Sequence, residues 1–389
     1  MLSKETLAYG EQMAPALLGL DEIYRAESGD EEGLIVLNMG RDFLTTEPFD
    51  GYTQARERFQ EFKTLAADLP EPDRRRYYDQ YCHSLLSFIQ WRDGGLPFES
   101  QLKDFLHVPA QPASDAELDT LRSQMRALLN GMGYSGDLAT QCAAWEERNR
   151  VPADEVPQVI GALMDEAWDR TNEILPIPAD KSDMMQVEPV SGMAFNARCN
   201  YEIRKIELNI DPILTRPGLK HLAVHEGCPG HYVQFKIREV GYQQGTGTAD
   251  GLLSVVNTAG SSPFEGIADN GLHMVDWIES DDDRFLVLMN QYRAGIGTGA
   301  AWRMHALNWS DEQVTDWLRS VSLVGGEGWV ANRIRFLAAP ERAVLIWSYW
   351  WGDRVVTPVW HRVPVERRPE FYDYLYGRGH SLQTVEMFQ

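Results

Sequence analysis

The sequence predicts a mainly α-helical fold with a small antiparallel β-sheet, and three features support this prediction. Long segments place apolar residues three and four positions apart, as on one face of a helix. Two serines are each followed three residues later by glutamate or glutamine, which matches the capping box that begins a helix. The best strand candidate, residues 199–211, alternates polar and apolar residues as a half-buried strand does.

The first 150 residues are predicted to be mostly helical. Ser114 and Glu117 form the first capping box, and Gly131 is a suitable end for the helix that it begins. Helical spacing of apolar residues also covers residues 51–69, 72–93 and 156–176. These segments predict an N-terminal helical region that spans residues 1–185.

The stretch LPIPADKSDMMQVEPVSG is rich in proline and is expected to be a connector. The region that follows, residues 186–389, is predicted to pack with the first region as one globular unit. The segment KIELNID is the predicted strand nearest to the functional residues. Helices are expected again from residue 219 to the C-terminus, where Ser310 and Gln313 form the second capping box.

The chain is strongly acidic, with 36 basic and 58 acidic residues and a formal net charge of −22. Such a surface repels phosphate backbones and anionic lipids, so we expect neither a nucleic-acid nor a membrane partner. No apolar run approaches the roughly 20 residues that a bilayer span needs, and the N-terminal residues do not resemble a signal peptide. Four scattered cysteines without a C-x-x-C pair fit a reducing compartment, and we expect a cytoplasmic protein.

The segment LKHLAVHEGCPGHYVQFKI contains the residues with the most informative chemistry. Imidazole and carboxylate groups are usual zinc ligands, and His225 and His231 flank a short loop that also contains Glu226. The two histidines are six residues apart, which is roughly 240° around a regular helix and therefore nearly opposite. Pro229 and Gly230 offer a bulge or break that would bring both rings to one point. The alternative is a pair of unrelated histidines on either side of a helix break.

A third ligand is expected from another element, and Glu265 in PFEGIAD is the candidate. Asp269 follows four residues later on the same helix face, where it would accept a hydrogen bond from a metal-bound histidine. Helix capping is the alternative role for Glu265, and a solvated face is the alternative for Asp269. Glu327 also precedes a glycine, but it is a weaker candidate for the third ligand than Glu265. The residue four positions after it is Ala331, which cannot act as the outer carboxylate.

The motif HEGCPGH resembles the H-E-x-x-P-G-H signature of a bacterial family called domain of unknown function 885, which is grouped with the gluzincin metallopeptidases. PFEGIAD is similar to the family's later E-G-W-A segment, and FYDYLYGRGHSLQTVEMF resembles its closing helix–Gly–helix pattern. The resemblance covers roughly residues 195–389. It implies a helical zincin-like metallohydrolase with Zn²⁺ as cofactor. His225, His231 and Glu265 would be the metal ligands, and Glu226 the general base on the zinc-bound water.

The same resemblance implies roles for two residues nearer the C-terminus. Tyr349 matches a family tyrosine and would donate to the developing oxyanion, and Arg335 would hold a substrate carboxylate. Both have structural alternatives, because Tyr349 lies in the apolar run WSYWW and Arg335 can pair with an acidic side chain. A family D-T-G-L-H stretch corresponds to residues 297–301 here and lacks its acidic residue and histidine. The metal site therefore matches the family pattern better than the substrate-binding side does.

Three functions remain open from the sequence. The first is a zinc-dependent hydrolase that cleaves a peptide or another amide bond with Glu226 as general base. The second is the same metal site recruited for a small non-peptide substrate in specialised biosynthesis, which a narrow, closed pocket would favour. The third is a non-catalytic helical binding protein stabilised by zinc. Four protein ligands would favour the third function, because structural zinc sites are closed and catalytic ones keep an open position.

Overall fold

The computed structural model describes residues 2–29, 33–193, 195 and 197–388 of the chain. Helices account for 66% and strands for 6% of the structure, which confirms the mainly α-helical class. None of the helices in the described residues combines the length and the apolar character that a bilayer span requires.

The N-terminal part of the described chain is a series of helices that agree closely with the sequence prediction. Its helices are α1 (Lys4–Ser28), α2 (Tyr52–Ala66), α3 (Pro72–Gly94), α4 (Phe98–Phe105), α5 (Asp115–Gly131), α6 (Leu138–Asn149) and α7 (Val156–Ile174). The predicted capping box is present, because Ser114 caps α5 and Glu117 accepts from the backbone N–H of Ser114 at 2.8 Å. Helix α5 ends at Gly131, as expected.

The strands form two small sheets. They are β1 (Ile35–Asn38), β2 (Gln186–Val190), β3 (Ala197–Asn200), β4 (Lys205–Asn209) and β5 (Leu253–Val255). Strands β1 and β5 pair antiparallel, and β4 lies between β2 and β3 in the second sheet.

The second sheet differs in two ways from the prediction. The expected strand over residues 199–211 is divided into β3 and β4, which pair antiparallel around a turn where Arg204 has a positive φ of 55°. The stretch expected to be only a connector contains β2, which pairs in parallel with β4. The proline-rich sequence concealed β2, because its pairing depends on a partner strand about 20 residues further along the chain.

The C-terminal part is helical, as predicted. Its helices are α8 (Arg216–Leu222), α9 (His231–Gln243), α10 (Ser261–Asp269), α11 (Gly271–Met274), α12 (Asp281–His305), α13 (Asp311–Val321), α14 (Gly326–Ala338), α15 (Pro340–Ala343), α16 (Ile346–Arg362), α17 (Arg368–Tyr376) and α18 (Leu382–Glu386). A π-helical turn, Ala223–Gly227, follows α8 directly. The capping box of Ser310 and Gln313 begins α13. Short 3₁₀ turns cover Lys181–Asp183, Ala249–Leu252 and Val365–Arg367.

Two apolar clusters form the core. The first combines α1–α6 with α12 and α14, and the second combines α7, the three-stranded sheet, the segment from α8 to α11 and α17. Helix α16 joins them, because Trp347 belongs to the first cluster and Val356 to the second. Both clusters take residues from either side of residue 185, where the sequence predicts a regional boundary, and that boundary stays a prediction. The candidate site lies where α16 meets the second cluster.

Candidate metal centre

The helix that carries HEGCPGH is broken between its two histidines. Helix α8 passes into the π turn, and the N–H of Cys228 donates to the carbonyl of Ala223 at 3.2 Å, five residues earlier. Cys228 is then extended, with φ −121° and ψ 122°, and α9 begins at His231. The ring centroids of His225 and His231 are consequently only 4.7 Å apart. The predicted break is confirmed, and it takes the form of a π turn, which is frequent at functional sites.

Gly230 is required at this break because the chain folds tightly back on itself. Its N–H donates to the carbonyl of Val224 at 2.8 Å. A Cβ atom at this position would lie 1.8 Å from the carbonyl oxygen of His225, which any larger residue would have to displace. Gly230 is therefore needed for space at this break.

Glu265 on α10 faces both histidines. Its Oε2 atom lies 3.4 Å from Nε2 of His225 and 3.6 Å from Nε2 of His231. The three candidate ligand atoms all lie within 4.8 Å of one another. Atoms bound tetrahedrally at about 2.0–2.2 Å from a zinc ion lie roughly 3.3–3.6 Å apart, so the two separations from Glu265 match one shared cation.

A second observation tests whether these residues fit a metal ion. The Oε2 atom of Glu265 is buried and has no hydrogen-bond partner among the residues that the structure describes. A buried carboxylate oxygen without a partner is costly, and it is usually satisfied by an ion or by hydrogen bonds. Two imidazole nitrogens and one unpartnered carboxylate oxygen form a donor set that suits zinc. The residues therefore fit the metal that the sequence predicts.

The carboxylates and imidazoles at the centre stabilise each other's charged forms. Burial alone would raise the pKa of Glu265, but the two histidines lower that pKa to about 2, so the carboxylate is ionised. Burial alone would lower the pKa of His225, but the neighbouring carboxylates, Asp269 first, raise it well above its ordinary value. The site thus favours a positive charge at the point between the two rings and Glu265.

Asp269 lies within hydrogen-bond distance of His225. Its Oδ1 atom lies 2.9 Å from Nδ1 of His225, so Nδ1–H can donate to the carboxylate. Nε2 of His225 then faces Glu265 and would bind a metal ion after losing its own proton. His221 lies on the other side of Asp269, with Nε2 at 3.6 Å from Oδ1, and burial lowers the pKa of His221 to about 4. His221 therefore contributes as a neutral neighbour of the Asp269–His225 pair.

Packing holds His231 and α10 in place. The ring of Phe264 stacks on His231, with centroids 4.4 Å apart and planes 9° from parallel. Gln234, which is fully buried one turn after His231, donates to the carbonyl of Phe264 at 3.1 Å. These contacts connect α9 to α10 beside Glu265 and reduce the freedom of two of the three candidate ligands.

A close crossing of two glycines brings α16 against α10. A Cβ atom at Gly266 would lie 2.3 Å from the carbonyl carbon of Gly352, and one at Gly352 would lie 2.3 Å from the carbonyl oxygen of Ser262. Gly266 follows Glu265 directly, and Gly352 lies three residues after Tyr349. The crossing therefore determines how close the tyrosine comes to the candidate ligands. The crossing was not predictable from the sequence, because a helix contact between two glycines has no local signal.

The metal centre lies between two cavities. The larger has a volume of about 310 Å³, and its wall includes His225, Glu226, Asp269 and Tyr349. The smaller, of about 130 Å³, is lined by Glu265 and again by Tyr349. The structure thus places the predicted base, the orienting aspartate and the predicted oxyanion donor around one concave space.

Tyr349 is held in its protonated form. The negative charge of Glu265 and then burial raise its pKa well above the ordinary value for tyrosine. Its hydroxyl therefore remains a hydrogen-bond donor, which is the property that the predicted role requires.

The structure does not place Arg335 at the site. This residue is exposed and donates to the Oδ1 atom of Asn332 at 2.9 Å, and it does not line the larger cavity. Arg333, two residues earlier on α14, does line it. Two residues correspond to roughly 200° around a helix, so the two arginines point in nearly opposite directions. This placement gives no support to Arg335 as the substrate-binding arginine, and the arginine of α14 that lines the larger cavity is Arg333.

Comparison with known proteins shows the fold alone. No family model matches the chain, and no curated protein matches it. Two solved structures, each described as a "putative lipoprotein", are similar to it. The protein from Colwellia psychrerythraea matches with 13% identity and a TM-score of 0.57, over 86% of this chain and 68% of the other. The protein from Shewanella oneidensis, which is described as of unknown function, matches with 12% identity and a TM-score of 0.52, over 88% and 74%.

Proposed function

We propose that this chain is a zinc-dependent hydrolase that cleaves a peptide or another amide bond. The observation that carries the proposal is the convergence of Nε2 of His225, Nε2 of His231 and the unpartnered Oε2 of Glu265 at separations suited to one cation. The likeness of HEGCPGH to the gluzincin-like signature supports the same choice of metal and reaction. We also propose that the chain belongs to the domain of unknown function 885 family.

The residues of the chain have distinct roles in this reaction. When bound by His225, His231 and Glu265, zinc supplies Lewis acidity, which polarises a carbonyl group and makes water easier to deprotonate. Glu226 takes a proton from the attacking water as the new C–O bond forms, and it delivers that proton to the leaving nitrogen as the C–N bond breaks. Tyr349 donates a hydrogen bond to the carbonyl oxygen as negative charge develops there.

A small substrate is favoured by the size of the larger cavity. A volume of about 310 Å³ is at the lower end of the range for small-molecule sites and leaves little room for a folded or long extended polypeptide. This supports the second candidate function, in which the same centre acts on a small non-peptide amide in a biosynthetic pathway. A short peptide and a small amide share the reaction and differ only in the substrate.

The expected setting of the reaction is part of the proposal. We propose a cytoplasmic location and a small peptide or small molecule as the substrate, without a nucleic-acid or membrane partner. The formal charge of −22 supports the absence of a nucleic-acid or membrane partner, because an acidic surface repels polyanions.

The decisive experiment combines metal analysis with one isosteric substitution. Purified wild-type protein is expected to hold one zinc ion per chain and to hydrolyse members of a panel of short peptides and N-acyl amines. Glu226→Gln is expected to keep the zinc and to lower kcat about 10²- to 10⁴-fold, because it removes the base without removing a ligand. Zinc content is measured by atomic emission, and amine release by a fluorogenic amine reagent.

Two outcomes would overturn parts of the proposal. Equal turnover by Glu226→Gln and wild type would remove Glu226 as the base. A wild-type chain that binds no zinc and hydrolyses nothing in the panel would remove the hydrolase assignment. Glu327→Gln, which alters an exposed carboxylate paired with Arg319, is the matched control and is expected to behave as wild type.

A further inference from the structure

Two arginines with few partners face the larger cavity. Arg293 on α12 and Arg333 on α14 both line it, and the Nε atom of each is buried without a hydrogen-bond partner among the described residues. Trp329, one turn before Arg333, lies between them: its ring centroid is 5.6 Å from the guanidinium carbon of Arg293 and 5.4 Å from that of Arg333. Cavity-facing guanidinium groups of this kind are suited to binding an anion.

The charge around the pair is incompletely balanced. The nearest carboxylate is that of Glu146, which attracts Arg293 and accepts from the backbone N–H of Gly325 at 2.8 Å. Arg333 has no ion pair with any residue that the structure describes, and its neighbours include Arg293 and the neutral phenol of Tyr349. Burial lowers the pKa of both arginines, that of Arg293 to about 10. Arginine side chains in proteins nevertheless remain cationic at neutral pH. Glu146 is thus the carboxylate that acts on Arg293, and burial raises the pKa of Glu146.

Tyr349 connects this positive end to the metal centre. Tyr349 lines the larger cavity together with Arg333, and it also lines the smaller cavity together with Glu265. A ligand group held by Arg333 would therefore lie in the same cavity as the carbonyl that Tyr349 contacts. Because that cavity has a volume of only about 310 Å³, the two groups must lie close together on the ligand.

We propose that Arg333, assisted by Arg293, binds a carboxylate of the substrate, and that the substrate is a small amide whose free carboxylate lies close to the scissile bond. Short peptides with a free C-terminus and N-acyl amino acids belong to this class. A carboxylate can accept two parallel hydrogen bonds from one guanidinium group, and the acidic surface repels it less than it repels a doubly charged phosphate. This inference rests on the proposed function for the identity of the scissile bond.

The test measures binding without turnover, in the full chain carrying Glu226→Gln. Calorimetry compares N-acetyl-glycine, N-acetyl-leucine and N-acetyl-phenylalanine with their C-terminal amides. At least one carboxylate probe is expected to bind roughly 10- to 100-fold more tightly than its amide, as charge-assisted hydrogen bonds predict. Adding Arg333→Met is expected to remove most of this preference, and Arg333→Lys to retain part of it. Arg335→Met, on the opposite face of the same helix, is the matched control and is expected to keep the full preference.

Several results would overturn the inference. The first is that the chain carrying only Glu226→Gln binds the carboxylate probes no more tightly than their amides. The second is that adding Arg333→Met leaves the carboxylate preference unchanged. The third is that inorganic phosphate displaces the probe more strongly than acetate does. If Arg333→Met does not fold, Arg333→Lys and Arg293→Lys decide the outcome by the same comparison. A carboxylate preference that depends on Arg333 would stand even if the chain proved not to hydrolyse amides, so the two proposals fail separately.

Discussion

Helices α10 and α14 each contain a Glu–Gly dipeptide, which is called the Glu–Gly step of that helix. The step of α10 is Glu265-Gly266 and that of α14 is Glu327-Gly328, and their surroundings are opposite. The side chain of Glu265 on α10 is 19% exposed and faces two imidazoles, with one oxygen unpartnered among the described residues. The side chain of Glu327 on α14 is 72% exposed and is bound by Arg319 at 2.8 Å. The comparison shows that the same dipeptide becomes a candidate ligand or a surface ion pair according to what packs against its helix.

The glycines of the two steps differ in the same way. Gly266 lies in the crossing with α16, where a Cβ atom would collide with the backbone of Gly352. Gly328 is exposed, and a Cβ atom there would meet nothing within 4 Å. The α10 step is therefore constrained at both residues, whereas the α14 step is constrained at neither. Substituting matched positions in the two helices measures this difference directly.

The largest expected difference between the helices is in metal binding. Glu265→Gln is expected to lose bound zinc and all measurable hydrolysis, because it removes the anionic ligand from a three-residue site. Glu327→Gln is expected to keep both. Zinc per chain after gel filtration and initial hydrolysis rates are the measurements.

The stability of the metal-free protein separates this role from a structural one. Without metal, Glu265→Gln is expected to lower the unfolding temperature only slightly, because burial opposes the charge of Glu265 while His225 and His231 stabilise it, and glutamine keeps the shape of the side chain. A large fall in the metal-free Tm would mean that Glu265 holds the fold together, and the contrast between the two helices would then have a different cause.

A smaller effect is expected one turn beyond the α10 glutamate. Asp269→Asn keeps the shape of the side chain but weakens the hydrogen bond that fixes the tautomer of His225, and it is expected to lower zinc affinity about 10- to 100-fold. Ala331 occupies the equivalent position on α14, so Ala331→Asp is the control and should not change zinc affinity. Competition with a fluorescent zinc chelator gives both affinities. Wild-type affinity in Asp269→Asn would show that the tautomer is fixed by other contacts.

The smallest expected effect concerns the two glycines. Gly266→Ala is expected to cost about 1–3 kcal/mol of unfolding free energy, because the added methyl group overpacks the crossing with α16. Gly328→Ala is expected to stabilise the protein by roughly 0.5–1 kcal/mol, because alanine suits a helix interior better than glycine. Urea unfolding followed by circular dichroism measures both. Equal effects of the same sign would contradict the close crossing.

Several parts of the site were predictable because their signals are local. The capping serines Ser114 and Ser310 act on backbone groups within three residues, and the helices begin where they were expected. Pro229 and Gly230 break the helix between the two histidines, and the spacing alone required such a break. Asp269 follows Glu265 by one helical turn, so its presence on the same face needed no knowledge of the fold.

Other parts were not predictable because they depend on contacts between distant segments. Strand β2 was missed because its partner β4 supplies the hydrogen bonds that make it a strand. Arg333 was missed because the resemblance pointed to Arg335 and did not give the direction in which the helix face points. Trp329 precedes Arg333 by one turn, and this aromatic–arginine pair was the available hint that the two share a face.

The amino-acid sequence by itself determined the helical class, the helix starts and the break in HEGCPGH, because caps, prolines and glycines act on backbone groups a few residues away. Only the tertiary structure decided that Glu265 meets the two histidines, that Tyr349 lies beside it through the contact of Gly266 with Gly352, and that Arg333 faces the cavity. The sequence of a helix does not specify which of its faces is directed toward the site, because packing against segments distant in the chain determines that orientation.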